Sequence, residues 1–266
     1  MRVLRAGFCT HPHAMTMRGA SWAPHRFDSG FGLVLHRRLG PVLFDTGYAP
    51  RFAEATARFP ERAYALLTPV TLDPRESAVA QLDALGIAAR DVAHVIVSHY
   101  HADHIAGLRD FPRATFWSSR AGWESVRGRR GLAALRRGYL AALAPDDFES
   151  RLAFVDARPS VALPDALAGF GLGRDLFGDG SVLAVDLPGH AVGQIGALLP
   201  DAPNGPWFFI GDAAWSRAAI AAVAPPPRIT TALLGRTGPY RATLARLHAL
   251  ERADPALRLI PAHDVP

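Results

Sequence analysis

Apolar residues along this chain fall into short runs separated by polar turns, not into long stretches. Phe31–His36 and Pro41–Phe44 are rich in β-formers, and Arg37-Arg38-Leu39-Gly40 between them predicts a hairpin. Asp45-Thr46-Gly47 ends the second strand. Asp73-Pro74-Arg75-Glu76 has the order of a helix start, with Asp as N-cap, Pro at the first helical position and Glu at the third. Val79, Leu82 and Leu85 recur at helical spacing, and Gly86 predicts the stop. Val92–Val97 and Ala114–Trp117 predict buried strands, followed by a weakly amphipathic helical stretch from Gly122 to Leu143. The second half repeats this grammar. Val182–Leu187, Ile195–Leu199, Trp207–Ile210 and Leu257–Ile260 read as strands, and Tyr240–Leu250 as a helix carrying Leu244, Leu247 and Leu250 on one side. The pattern predicts an α/β fold. Each His- or Asp-bearing segment then stands at the C-terminal end of a strand, where ligands collect in layered α/β folds.

The chemistry concentrates in one place. Ser98-His99-Tyr100-His101-Ala102-Asp103-His104 carries three imidazoles and a carboxylate directly after an apolar strand. In extended backbone His99 and His101 point to the same side, so two imidazoles can converge on one cation. Asp103 and His104 follow as the chain turns towards Gly107 and can serve a neighbouring ion. His190, Asp212 and His263 add three more donors, and one tetrahedral zinc has no use for so many. Two adjacent metals do. Imidazole and carboxylate suit zinc, with manganese or iron as alternatives.

The run His-X-His-X-Asp-His, then Pro-Gly-His190, Gly-Asp212 and Ala-His263, in that order, resembles the metallo-β-lactamase fold hydrolases. Asp45-Thr46-Gly47 after an early strand matches the same family pattern. The resemblance covers nearly the whole chain. It implies a four-layer αββα sandwich formed as one domain over residues 1–266, with a helical insert at about 120–145. It also implies that His99, His101 and His190 hold one divalent ion, that Asp103, His104 and His263 hold the other, and that Asp212 bridges them. Asp45 would orient a ligand histidine. A hydroxide between the ions would then be the nucleophile, and Asp103 would pass a proton to the leaving group.

Within that family the pattern is most similar to the N-acyl-homoserine-lactone lactonases. β-Lactamases lack the bridging aspartate. Glyoxalase II relatives carry a helical extension after the last ligand, whereas three residues follow His263 here. The lactonase likeness implies a small-molecule ester or lactone substrate. Those lactonases often have a tyrosine three residues after the bridging aspartate; this chain has Trp215, which can donate one hydrogen bond but cannot exchange a proton as phenol does. Trp215 is either such a donor or a pocket wall. Met15–Phe27 reads as an apolar Gly/Pro-containing loop that either covers the site or packs on the sandwich. Phosphodiester hydrolysis at the same two metals is the alternative activity, with the Arg-rich Arg127–Arg137 supplying phosphate contacts. A non-catalytic metal-binding protein of the same fold is the third reading.

Composition narrows the remaining possibilities. Hydrophobic residues make up 49% of 266 and charged residues 20%, enough apolar material for a core. The single cysteine excludes a disulfide framework and Cys-rich metal sites. Cys9, close to His11 and His13, reads as an ordinary buried cysteine, and His25, His36, His94 and His248 as structural or exposed. All 29 basic residues are arginine, and a net charge of +5 is modest for this length, so no nucleic-acid partner is expected. The N-terminus has no signal-like run, and the longest apolar stretch, Ala218–Ala224, is far below the roughly 20 residues of a membrane span. A cytoplasmic protein without a membrane partner is the expectation. Trp123, Val126, Leu135, Tyr139 and Leu140 mixed with arginines suit an interface, which predicts a homodimer through the insert, with packing onto its own sandwich as the alternative.

Overall fold

Alternation along the apolar runs decides the layering. In Val42-Leu43-Phe44, Leu43 joins one apolar cluster while Val42 and Phe44 join another. In Phe208-Phe209-Ile210 the outer two enter a third cluster, and Phe209 meets Val42 and Phe44 in the second. Successive side chains point to opposite faces of a strand, so a run without polar interruption belongs to a sheet covered on both sides. The structure, a computed structural model, describes residues 1–265; Pro266, the last residue of the expected domain, lies outside the described residues.

The first sheet holds β1 (Arg2–Pro12), β2 (Pro24–His36), β3 (Gly40–Phe44), β4 (Val70–Thr71), β5 (His94–Ile96), β6 (Thr115–Ser118) and β7 (Leu152–Phe154), in spatial order β4-β1-β2-β3-β5-β6-β7. The second holds β8 (Ser160–Ala162), β9 (Leu172–Asp175), β10 (Leu183–Asp186), β11 (Ile195–Leu199), β12 (Trp207–Gly211) and β13 (Arg258–Pro261), running in order from β13 back to β8. Helices α1 (Arg51–Ala55), α2 (Arg62–Leu67), α3 (Ala78–Ala84), α4 (Ala102–Ile105), α5 (Arg120–Val126) and α6 (Gly131–Leu135) belong to the first half, and α7 (Arg217–Ala221), α8 (Arg228–Leu234) and α9 (Thr237–Ala253) to the second. Phe52, Leu82, Ile105 and Trp123 cover the outer face of the first sheet, and Ile220, Tyr240, Leu244 and Leu247 that of the second. Between the sheets Phe44 stacks on Phe209 at 5.3 Å. This is the αββα sandwich. No helix among the described residues is long and apolar enough to cross a membrane.

Several boundaries differ from the sequence pattern. Asp73 does cap a turn, accepting from Arg75 N–H at 2.9 Å, but that turn is a 3-10 segment and Ser77 returns to extended backbone before α3 begins. The strand β1 has no regular period to show it, because Arg2 and Arg5 interrupt its apolar residues and its register shifts between Arg5 and Phe8. Met15–Phe27 is only partly a loop, since β2 starts at Pro24 and pairs His25 with His11. The stretch from Gly122 to Leu143 is not one helix. Gly128, Gly131 and Gly138 take positive φ, which ends α5, separates it from α6 and turns the chain after α6. Trp123, Val126, Tyr139, Leu140 and Leu143 are buried within their own chain, which is the alternative of packing onto the sandwich, while Leu132 of the insert is exposed.

Phe209 is 2% exposed and joins the two sheets. Phe209→Ala is expected to cost about 3–5 kcal/mol of folding stability. Equilibrium urea unfolding measures this, and a loss below about 1 kcal/mol would contradict the packing described.

Candidate metal centre

The strand ends that carry chemistry come together at one edge. β3 and β5 are parallel, which puts Asp45 beside Ser98 and His99; β12 and β13 are parallel, which puts Asp212 beside His263. Ile195 N–H donates to the Ser98 carbonyl at 3.0 Å, and Gly30 N–H to the Ala262 carbonyl at 2.8 Å, tying the two sheets together at this edge. All seven predicted donors, His99, His101, Asp103, His104, His190, Asp212 and His263, are buried here.

They form two groups that share one carboxylate. Donor atoms of His99, His101, His190 and Asp212 lie within 4.8 Å of one another, as do those of Asp103, His104, Asp212 and His263. His190 Nε2 lies 2.9 Å from His101 Nδ1 and 3.2 Å from Asp212 Oδ2. On the other side His104 Nε2 lies 3.2 Å from Asp212 Oδ1, and His263 Nε2 3.1 Å from Asp212 Oδ2. Asp103 Oδ2 is 3.5 Å from His104 Nε2 and 3.6 Å from His263 Nε2.

The surroundings set the tautomers. Asp45 accepts from Ser98 N–H, Ser98 Oγ–H and His104 Nδ1–H, each at 2.7 Å. Because the Ser98 hydroxyl proton is spent on Asp45, its oxygen accepts from His99 Nδ1–H at 3.0 Å. His263 Nδ1–H donates to the Asp28 carbonyl at 2.6 Å. In all three rings the Nε2 lone pair is therefore turned into the cluster. Among the buried atoms left without a hydrogen-bond partner are His99 Nε2, His104 Nε2 and Asp212 Oδ1. Buried acceptors facing one another without protons between them are costly on their own, and they fit divalent cations of the zinc type.

Electrostatics divide this donor set into rings that are neutral and rings that neighbouring carboxylates favour protonated, whose Nε2 proton a divalent ion would have to displace. Burial holds His99 and His190 well below the ordinary imidazole range and pushes His101 down to about 4, so these rings are neutral at pH 7. For His104 and His263 burial also disfavours the charged ring, but Asp103 and Asp212 outweigh it; His104 is raised and His263 reaches about 8. Burial alone would push Asp212 up, yet His263, His104 and His190 hold its carboxyl well below the usual carboxylate range.

Residues 32–263 match the metallo-beta-lactamase superfamily, and the chain belongs to it: a metal-binding, lactonase-like hydrolase by fold and by the pattern of its site. It is 29% identical over 208 residues to N-acyl homoserine lactonase AttM of Azorhizobium caulinodans, covering 77% of this chain and 72% of that one. The probable metallo-hydrolase Mb2322c of Mycobacterium bovis is 30% identical over 255 residues, covering 88% and 76%. Among solved structures, a variant of B. thuringiensis AiiA with N-decanoyl-L-homoserine bound at the active site superposes with a TM-score of 0.71 at 16% identity, covering 99% of this chain and 92% of the other. AidC, a dizinc quorum-quenching lactonase, gives 0.63 at 16% identity, covering 98% and 86%. These two share the fold.

Other histidines have local partners. His36 Nε2 lies 2.8 Å from Ser181 Oγ, His94 accepts from Trp117 Nε1 at 3.2 Å, and His248 Nδ1 lies 3.0 Å from the Ile220 carbonyl. His13 and His25 stack at 4.1 Å. Cys9 is buried, and burial raises its thiol pKa above the ordinary value. Sequence reasoning assigned no role to Ser98 or to the Asp28 carbonyl. A serine beside a histidine is unremarkable in sequence, and a backbone carbonyl leaves no signal in side-chain identity.

Asp45→Asn removes the charge that Ser98 and His104 converge upon. Retention of divalent ions is expected to weaken by roughly 10–100-fold, read by competition with a chromophoric chelator; wild-type affinity in the variant would refute the role assigned to Asp45.

Proposed function

We propose that this protein is a dinuclear metallohydrolase that opens a lactone or ester bond, acting as one domain with the insert at about 120–145. The observation that carries the reading is the pair of donor groups sharing Asp212. Likeness to the AttM lactonase supports the lactone as the substrate class. His99, His101 and His190 would hold one ion and Asp103, His104 and His263 the other, with Asp212 common to both and zinc the metal expected from the donors. When bound, such ions supply Lewis acidity to an ester carbonyl and lower the pKa of water towards about 7.

The chain's own residues then orient and transfer protons. Asp103 has a side chain 10% exposed, against 2% for Asp212, so it is the carboxylate that solvent and a leaving oxygen can reach. It is assigned the proton transfer to the leaving alkoxide. Trp215 packs on His263 at 4.9 Å and on Phe27 at 5.4 Å, which walls the site with apolar rings and excludes water. Trp215 Nε1 is buried without a partner, a donor free for a substrate oxygen. The phosphodiester reading depended on the arginines of the insert. Arg127 pairs with Glu149 at 2.7 Å, and Arg129 Nε donates to the Ser125 carbonyl at 2.6 Å. Those contacts engage two of the arginines, while Arg130, Arg136 and Arg137 are exposed, and the assay below decides between the two substrate classes.

The direct assay offers N-hexanoyl homoserine lactone, a p-nitrophenyl ester and bis(p-nitrophenyl) phosphate to purified protein, before and after a chelator and after refilling with Zn²⁺. Lactone or ester turnover that the chelator abolishes and Zn²⁺ restores is the expected result. Chelator-insensitive or absent turnover of both would overturn the reading, and a dominant phosphodiesterase rate would replace it. Asp103→Asn should lower kcat by on the order of 10²-fold even when assayed with Zn²⁺ in excess, which separates the proton transfer from the weaker metal retention that loss of a ligand brings. Trp215→Phe keeps the ring and removes the N–H, and should cost roughly 3–10-fold in kcat/KM; an unchanged value would make the indole a wall only.

A further inference from the structure

The two nitrogens of the His101 ring have different neighbours. Nδ1 faces the cluster, 2.9 Å from His190 Nε2. Nε2 lies on the side of the ring against the turn that follows α6. There Gly138 adopts a φ of +63°, and its backbone lies so close to the ring that an added Cβ would stand 2.8 Å from Nε2 and 2.9 Å from Cγ, with Cδ2 nearer still. Real Cβ atoms do not sit at such separations, so any side chain here displaces the imidazole or the turn.

The turn is fixed on both sides. Gly138 N–H donates to the Leu135 carbonyl at 2.9 Å, and Tyr139 N–H to the Ala134 carbonyl at 3.2 Å. The Gly138 carbonyl accepts from Ala102 N–H, the residue after His101, at 3.0 Å. Tyr139 and Leu140 beside it are buried in the core of the first sheet. One glycine thus bounds both the ring and the backbone of His101. Gly128 provides a built-in comparison: its φ of +70° demands the same left-handed backbone, but nothing lies within 4 Å of a Cβ added there.

We propose that Gly138 is a positioning residue of the metal centre, through which the insert holds the His101 ring in the orientation that presents Nδ1 to an ion. The proposal rests on the reading of His101 as a ligand. A ligating imidazole is commonly oriented by a partner on its other nitrogen; here close backbone contact does that work. Metal binding and closure of the turn are then coupled, and the coupling runs in both directions.

The test uses Co²⁺ as the probe, titrated into metal-free wild type, Gly138→Ala and Gly128→Ala and followed by its visible absorption. Gly138→Ala should bind Co²⁺ at least about 10-fold more weakly, with an altered spectrum, while Gly128→Ala should stay within about twofold of wild type. Wild-type affinity and spectrum in Gly138→Ala would overturn the proposal, as would equal losses in the two variants, which would make backbone strain the cause. A wild-type chain that takes up no Co²⁺ would overturn the metal reading and this one with it. Should Gly138→Ala fail to fold by circular dichroism, hydrogen exchange on wild type decides. The amides of Gly138 and Tyr139 should exchange more slowly when Zn²⁺ is added and that of Arg129 should not; no difference would refute the coupling.

Discussion

Three donors converging on the Asp45 carboxylate set the geometry on which the rest of the site depends. Asp45 is fully buried and has a φ of +59°, a conformation that aspartate tolerates better than most residues. A carboxylate in that position without partners would be strongly destabilising. The loop after β5 supplies them all, and in accepting them Asp45 closes that loop onto the end of β3. The same bonds decide which nitrogen of His104 and, through Ser98, of His99 faces the cluster. One buried acid therefore determines the protonation pattern of a site to which it contributes no ligand atom.

Asp212 is the counterpart from the second sheet. Its Oδ2 reaches His190 of one donor group and His263 of the other, and its Oδ1 reaches His104, so it belongs to both groups. Neither sheet could build the site alone. The first supplies the histidine loop, the second supplies His190, Asp212 and His263, and the inter-sheet contacts of Phe44 with Phe209 and of Ser98 with Ile195 hold the two sets at ligand distance. Packing in the middle layer is thus a condition for the chemistry at its edge.

The insert has a different meaning from the one its composition carries. Apart from the exposed Leu132 its large apolar residues pack inward, its glycines break it into short helices, and the turn after the second of them rests on His101. Arg127 and Arg129 serve contacts within the chain. Arginine and aromatic content is a property of interfaces in general, but it is shared by any helix pair that covers a sheet while keeping its charged ends in solvent.

What the sequence by itself determined was the sandwich and the set of His and Asp side chains that it gathers at one edge. Buried strands announce themselves as unbroken apolar runs, and seven His and Asp residues placed after such runs have few uses other than metal. Asp45 was readable for the same reason, as an acid at a strand end. The end of α3 at Gly86 was readable, but its beginning, the division of the insert and the strand β1 were not, because local signals at Ser77, at the insert glycines and along Arg2–Pro12 compete with periodicity and are settled by packing. The tautomers of His99, His104 and His263, the role of Ser98 and the contact of Gly138 with His101 were decided only by the tertiary structure. Each depends on atoms brought together from distant parts of the chain, and several of them are backbone atoms, which are the same at every position in the sequence.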